Sequence, residues 1–203
     1  MDRAKALEEI HGQIRQCTRC PLHVGRTKSV PGAGPVDALI MFIGEAPGFH
    51  EDQQGLPFVG AAGRFLSELL EQVGIDRRRV FITNVIKCRP PGNRDPQLAE
   101  VEACKEYLDR QIEVIKPRVI VTLGRHSMAR AFPDEKVSVV HGRPRKVGDQ
   151  TYFPMYHPAA ALHQPSLRGV LEADFERLKD LVDGRLEPEV YNPPPEAEQL
   201  SLF

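Results

Sequence analysis

Four cysteines, a loop dense in carboxylates, an asparagine at a strand end and a histidine before a proline are the chemistry this chain of 203 residues can offer. Cys17 and Cys20 stand in "CTRC", and Cys88 and Cys104 follow with fifteen residues between them. A close cysteine pair is a strong local sign of soft-metal ligation. Zinc ribbons usually repeat the close pair. Here the second pair is spread between a strand end and a helix, which favours a [4Fe–4S] cluster held between elements and leaves zinc open. Two disulfides fit less well with a chain expected in the reducing cytosol.

The block "GEAPGFHEDQQGLPF", residues 44–58, places Glu45, Glu51 and Asp52 among glycines and prolines directly after an apolar run. Such a loop is tight and rigid, and its N–H groups can face a ligand. A polar connector is the bland alternative. Asn84, in "TNVIKCRP", is either a turn former or an amide whose donor and acceptor lie in one plane, suited to the edge of a planar amide-bearing ring such as a pyrimidine. His157 precedes Pro158, which holds its backbone extended. It reads either as a core histidine satisfied by a carbonyl or as a donor at the mouth of a site.

The elements that must position these residues follow from periodicity. Residues 2–16 predict a helix with Leu7, Ile10, Ile14 and Cys17 on one face. Residues 38–46, 79–86 and 118–124 predict strands buried on both faces. Helices are expected over 58–74, from an Asp95 cap and Pro96 onward, over "HSMARAF" and over 168–183. "KVSVV" and "QTYFPMYHP" are expected to form a hairpin leading into the last strand. Four strand–helix alternations predict an α/β/α sandwich around a mainly parallel four-stranded sheet. Ligands of such sheets lie beyond the carboxyl ends of the strands, where "GEAPGFHED", "TNVIKCRP" and "HPAAAL" all fall.

Hydrophobic residues at 41% and charged residues at 27% describe a globular chain. No run of eighteen apolar residues and no signal-peptide pattern is present, so no membrane association and a cytoplasmic location are expected. The formal charge of −1 rules out nucleic-acid binding through bulk charge. Basic residues are instead patchy, at Arg77–Arg79, across Lys87, Arg89 and Arg94, and at Arg143, Arg145 and Lys146. Residues 1–183 are expected to form one domain, followed by a flexible Pro/Glu-rich linker at 184–198 and the terminal peptide "QLSLF".

Taken in order, "GEAPGFHED", "TNVIKCRP", "HPAAAL" and the cysteine spacing resemble the family-4 uracil-DNA glycosylases from about residue 10 to residue 183. The resemblance implies excision of uracil from DNA by hydrolysis of its N-glycosidic bond, and a largely structural [4Fe–4S] cluster on Cys17, Cys20, Cys88 and Cys104. It implies a pocket lined by Gly44, Glu45, Ala46, Gly48 and Phe58. Within it, Phe58 would stack on the extruded base and Asn84 would pair with its Watson–Crick edge. His157 would hydrogen-bond the leaving base, and Glu51 would position water and stabilise the cationic sugar. Gly60–Gly63, Arg89, Arg94, Arg143 and Arg145 are candidate phosphate contacts, and Leu162 and His163 lie where relatives push a wedge into the duplex. A basic loop of the kind that traps uracil DNA covalently is absent after Asn84, so turnover is expected. Gln199–Phe203 resembles the pentapeptide by which bacterial repair proteins bind the sliding clamp. A monomer is expected. The reading from another class is a non-catalytic, cluster- or zinc-bearing DNA-binding module.

Overall fold

Strands β1 (Ile40–Gly44), β2 (Phe81–Asn84) and β3 (Val119–Leu123) are buried at every position. Helices covering both faces of the sheet require that pattern. The computed structural model describes residues 2–193. The sheet runs β2-β1-β3-β5-β4-β6, with β4 at Arg145–Val147, β5 at Gln150–Met155 and β6 at Glu189–Val190. The first four strands in that order are mutually parallel, as expected. Two more extend the sheet to six, because β4 pairs antiparallel with β5 and β6 pairs parallel with β4.

Helices α4 (Ala61–Gln72), α8 (Pro158–His163) and α9 (Leu167–Val182) cover one face. There Phe42 of β1 stacks on Phe175 of α9 with ring centroids 6.0 Å apart. Helices α1 (Arg3–Arg15) and α5 (Leu98–Ile115) cover the other, where Leu7 and Leu108 pack with Met41, Ile43 and Ile120. Single turns α2 (Leu22–Gly25), α6 (Arg125–Met128) and α7 (Val137–Val140), with the longer α3 (Phe49–Gln54), complete the described helices.

Three local expectations are corrected. "KVSVV" is not a strand of the hairpin but the turn α7. Its Val140 is fully buried against Met128 and Phe132, while Val139 is exposed, and so short an apolar alternation fits one helical turn equally well. The hairpin is made instead by β4 and β5. The cap of α5 is Gln97, not Asp95, because Gln97 and Glu100 form a reciprocal capping box; the Asp95 carboxylate pairs with Arg125. The expected linker is ordered over its described part, where β6 joins the sheet edge and Tyr191 meets Phe132 edge-on at 4.8 Å. The rest of it, and Gln199–Phe203, lie outside the described residues.

Candidate active site

Parallel strands deliver their following loops to one edge of the sheet. The loops after β1, β2 and β5 meet there around a cleft of ≈ 380 Å³. Glu45, Ala46, Gly48 and Glu51 line it from the first loop and α3, Asn84 from the end of β2, His157 from the end of β5, and Phe58 and Ala62 from the entry to α4. Of the base-pocket and catalytic residues expected from sequence, Gly44 alone does not line the cleft. It lies behind it, where a Cβ would stand 2.4 Å from Asn84 Oδ1 and 2.8 Å from the Phe58 ring. Its role is to let both side chains come forward.

Asn84 is only 2% exposed, yet its side-chain amide makes no hydrogen bond among the described residues. Its backbone is fixed: it pairs with Gly44 in the ladder, and its carbonyl accepts from Lys87 Nζ at 2.8 Å. Thr122 Oγ1, not this amide, is the buried side-chain atom left without a partner among the described residues, so the Asn84 donor and acceptor open onto the cleft and stand free to meet a ligand there.

Glu51 projects from the first turn of α3 toward the start of α4. Its Oε1 accepts from the Val59 and Gly60 N–H groups, both at 2.9 Å. These are orphan donors of a helix N-terminus, and the positive end of the helix favours the carboxylate. Of the donors expected to receive a phosphate at Gly60–Gly63, the Gly60 N–H is already taken by Glu51, and Gly63 packs on the Phe58 carbonyl so closely that a Cβ would lie 1.8 Å from it. Glu51 Oε2 accepts no hydrogen bond among the described residues. The neighbouring Asp52 is buried and structural, accepting from the Thr27 N–H at 2.9 Å.

His157 caps α8, and its Nδ1 accepts from the Ala159 N–H at 3.1 Å. The proton of the neutral ring is therefore on Nε2. Burial pushes the imidazole pKa down to about 4, against the opposing pull of the Glu51 charge, so the ring is neutral at pH 7. It stacks on Phe58, with centroids 5.5 Å apart and planes inclined by 28°. Phe58 itself sits at φ +53°, a left-handed conformation that a bulky residue rarely adopts.

Arg77 holds that turn. Its guanidinium donates to the Phe58 carbonyl at 2.9 Å, to Ser67 Oγ at 2.9 Å and to the Gly63 carbonyl at 3.2 Å. It was expected on a basic surface with Arg78 and Arg79. Lys87, from the second expected patch, is 1% exposed and points inward, bonding Thr83 Oγ1 at 2.6 Å and Gln111 Oε1 at 2.8 Å as well as Asn84. Burial lowers its pKa to about 7. Arg145 pairs with Glu135 at 2.7 Å under Tyr191 and is not an open phosphate contact. Arg94 does line the cleft, bound to Glu100 at 2.6 Å, and Arg143 is exposed. Leu162 is 48% exposed on α8, next to the cleft-lining Ala159.

All four cysteines are free thiols and line a second pocket with Arg26, Lys87 and Tyr107. Cys17 and Cys20 come from the link between α1 and α2, Cys88 from the segment leaving β2, and Cys104 from α5. Burial raises the pKa of Cys20 and Cys88, and that of Cys104 to about 11, so these three hold their protons as bare thiols. Arg26 donates to Cys88 Sγ at 3.1 Å, supplying positive charge for a thiolate set. Four sulfurs gathered from three segments in one buried pocket fit a four-thiolate centre. A second gathering, Glu45, Asp95 and His126, lies at the rim of the cleft. Arg125 bonds two of the three, His126 Nε2 at 3.2 Å and the Asp95 carboxylate, and Glu45 stands 3.6 Å from His126 Nε2.

Sequence comparison adds an independent line. The model of the uracil DNA glycosylase superfamily matches residues 31–180. A type-4 uracil-DNA glycosylase of Sulfurisphaera tokodaii is 48% identical over 87% of this chain and 84% of its own length. That of Saccharolobus solfataricus is 47% identical over 88% of each chain. That of Archaeoglobus fulgidus is 44% identical over 93% of this chain and 98% of its own.

Proposed function

The chain belongs to the type-4 branch of the uracil-DNA glycosylase superfamily and removes uracil from DNA by hydrolysing its N-glycosidic bond, and on that footing we propose what each side chain of the cleft contributes. The observation that carries the assignment is the uncommitted amide of Asn84, facing the cleft from a residue only 2% exposed. Uracil offers an N3–H donor and an O4 acceptor side by side, the complement of one primary amide. Cytosine presents the reverse order, so an amide held in one orientation rejects it. A base inside the duplex cannot reach the cleft, so the uridine is flipped out at a cost of a few kcal/mol. Phe58 receives the extruded ring on its face.

Cleaving the bond between C1′ and N1 leaves the electron pair on uracil and positive charge on the sugar. His157 is neutral, carries its proton on Nε2 and has its other nitrogen occupied. It donates a hydrogen bond to the uracil anion as the charge grows, a stabilisation by a preorganised dipole. The free Oε2 of Glu51 faces the cationic sugar and orients the water that adds to C1′; the proton of that water passes to the carboxylate or to solvent. The backbone of Glu45, Ala46 and Gly48 closes the wall around the base. One copy carries every one of these residues, in keeping with a monomer.

We read Cys17, Cys20, Cys88 and Cys104 as ligands of a [4Fe–4S] cluster. Glycosidic hydrolysis transfers no electron, so the cluster, when bound, acts as a tether between α5 and the segment that leaves Asn84. Iron and sulfide analysis with visible absorption distinguishes it from zinc. The basic Arg89, Arg94 and Arg143 remain candidate phosphate contacts, and Leu162 a candidate wedge. Gln199–Phe203 is proposed to dock on a sliding clamp, reached by a tether that raises local concentration on DNA. Deleting those five residues should abolish clamp binding and leave excision on short oligonucleotides intact. No described helix is long and apolar enough to cross a membrane.

The test of the cleft is a nicking assay on strands carrying uracil, cytosine or thymine at the target position, with cluster-loaded protein. Asn84→Ala should lose most of kcat/KM and most of the discrimination against cytosine. Wild-type selectivity and rate in that variant would remove the amide from the reading.

A further inference from the structure

Phe49 follows Gly48 of the cleft wall, opens α3 and is 51% exposed. The Arg89 guanidinium lies over that ring, 5.1 Å from its centroid. Arg89 comes from a different element, the segment after β2. It is tied to the cleft through its Nε, which donates to Asn93 Oδ1 at 2.7 Å, and Asn93 lines the cavity. Arg94, Arg125 and Arg145 each pair with a carboxylate, whereas none pairs with Arg89 among the described residues. Phe49 and Arg89 thus present an aromatic face and an uncompensated cation together at the rim of the cleft. The ring edge-to-face with His50 at 5.5 Å widens this surface.

We propose that Phe49 and Arg89 form a stacking shelf for an unpaired nucleobase next to the flipped uridine, with the Arg89 charge meeting that nucleotide's phosphate. Three observations point to nucleic acid as the occupant. The shelf is continuous with the cleft through Gly48 and Asn93. Its charge is opposite to that of a phosphate backbone. Its paired π face and guanidinium suit any base without reading sequence, as single-strand binding sites do. The inference rests on the reading of the cleft as the uracil site. It assigns this chain an additional base subsite, filled when the strand around the lesion is single or locally open.

The test uses full-length, cluster-loaded protein and uracil-containing oligonucleotides, single- and double-stranded, with 2-aminopurine placed on either side of the uracil. Wild-type binding should quench the fluorescent base on one side of the lesion. Phe49→Ala should lose that quenching and raise KM on the single strand roughly tenfold, while kcat and inhibition by free uracil stay at wild-type values. Phe49→Trp should restore both readouts, and Phe49→Leu, which keeps apolar bulk without a π face, should not. Arg89→Ala should raise KM and lower the slope of log affinity against log salt by about one. An unchanged KM in Phe49→Ala overturns the shelf while leaving the Asn84 reading intact. A fall in kcat with weakened free-uracil inhibition also overturns it, since the ring would then be supporting the cleft loop. Failure of the cleft reading shows separately, as wild-type selectivity in Asn84→Ala.

Discussion

The protonation state of one imidazole decides how the cleft works. His157 reaches about pKa 4 mainly because it is buried, and its Nδ1 is spent on the Ala159 N–H. Over the working pH range it is therefore a neutral donor, not a cation. For enzyme saturated with cluster, kcat/KM should carry no His157 titration between pH 6 and 8. An acid limb should appear near pH 4, where protonating Nδ1 breaks the cap bond. An ionisation near 6.5 that disappears in His157→Gln would show the ring titrating as in water. His157→Ala should lower kcat by about 10²–10³-fold with little change in KM for DNA, as measured by single-turnover excision. Glu51→Gln separates charge from shape, because the amide still accepts from Val59 and Gly60. A kcat loss of about 10²–10⁴-fold at nearly unchanged thermal midpoint is expected. Equal activity of the two proteins would relieve the carboxylate of any role. The sequence already named these residues, but not how adjacent ones divide the work. Glu51 and Asp52 stand about 100° apart on α3, and only packing shows that one faces the cleft while the other caps a loop at Thr27.

Helices and strands here matter for the turns they hold. Phe58 is kept at positive φ by two neighbours, Gly63 from below and Arg77 from behind. The strain of such a conformation, about 1–3 kcal/mol, persists only where the surroundings over-determine it. Arg77→Met takes from the Phe58 carbonyl the donor that holds it, while the Gly63 carbonyl still accepts from Ser67 Oγ at 3.0 Å. It should cost about 1–3 kcal/mol in denaturant unfolding and reduce kcat/KM through a displaced Phe58. Full activity in a protein destabilised to that degree would show that the ring's position is not held by Arg77. Three consecutive arginines look alike in sequence. The Asp76 cap turns Arg78 outward, where the two carboxylate oxygens hold it, and the same tight turn sends Arg77 inward. Lys87 was misread for a related reason: a lysine between two apolar residues and a cysteine reads as exposed charge unless Thr83, Asn84 and Gln111 are known to converge on it. By contrast, the apolar run of β1 and the mostly apolar runs around β2 and β3, buried at every position, marked the central strands, and the parallel order followed. The additions were at the edge, where β4 and β6 are short and partly exposed and so leave a weak pattern.

Two neutral histidines on opposite faces of the sheet link the whole molecule to acidity. His157 lies among the loops above α4 and α8. His11 lies on the α1 side, 6.2 Å from the Phe81 ring and 3.2 Å from Gln111 Nε2. Burial lowers each to about pKa 4, although Glu8 opposes the shift at His11 and Glu51 at His157. The unfolded chain binds a proton at each position below about pH 6.5, whereas the folded one does not until about pH 4. Their contribution to stability is therefore complete above pH 6.5 and declines as pH falls from 6.5 toward 4. Two such groups should make the thermal midpoint of the cluster-loaded protein drop steadily between pH 7 and pH 5. His11→Gln with His157→Gln, neutral at every pH, should flatten that decline. The two single variants should each remove part of it additively, since the sheet separates them. A decline equally steep in the double variant would place acid sensitivity elsewhere, most directly in the four thiolates that bind α5 to the strand ending at Asn84.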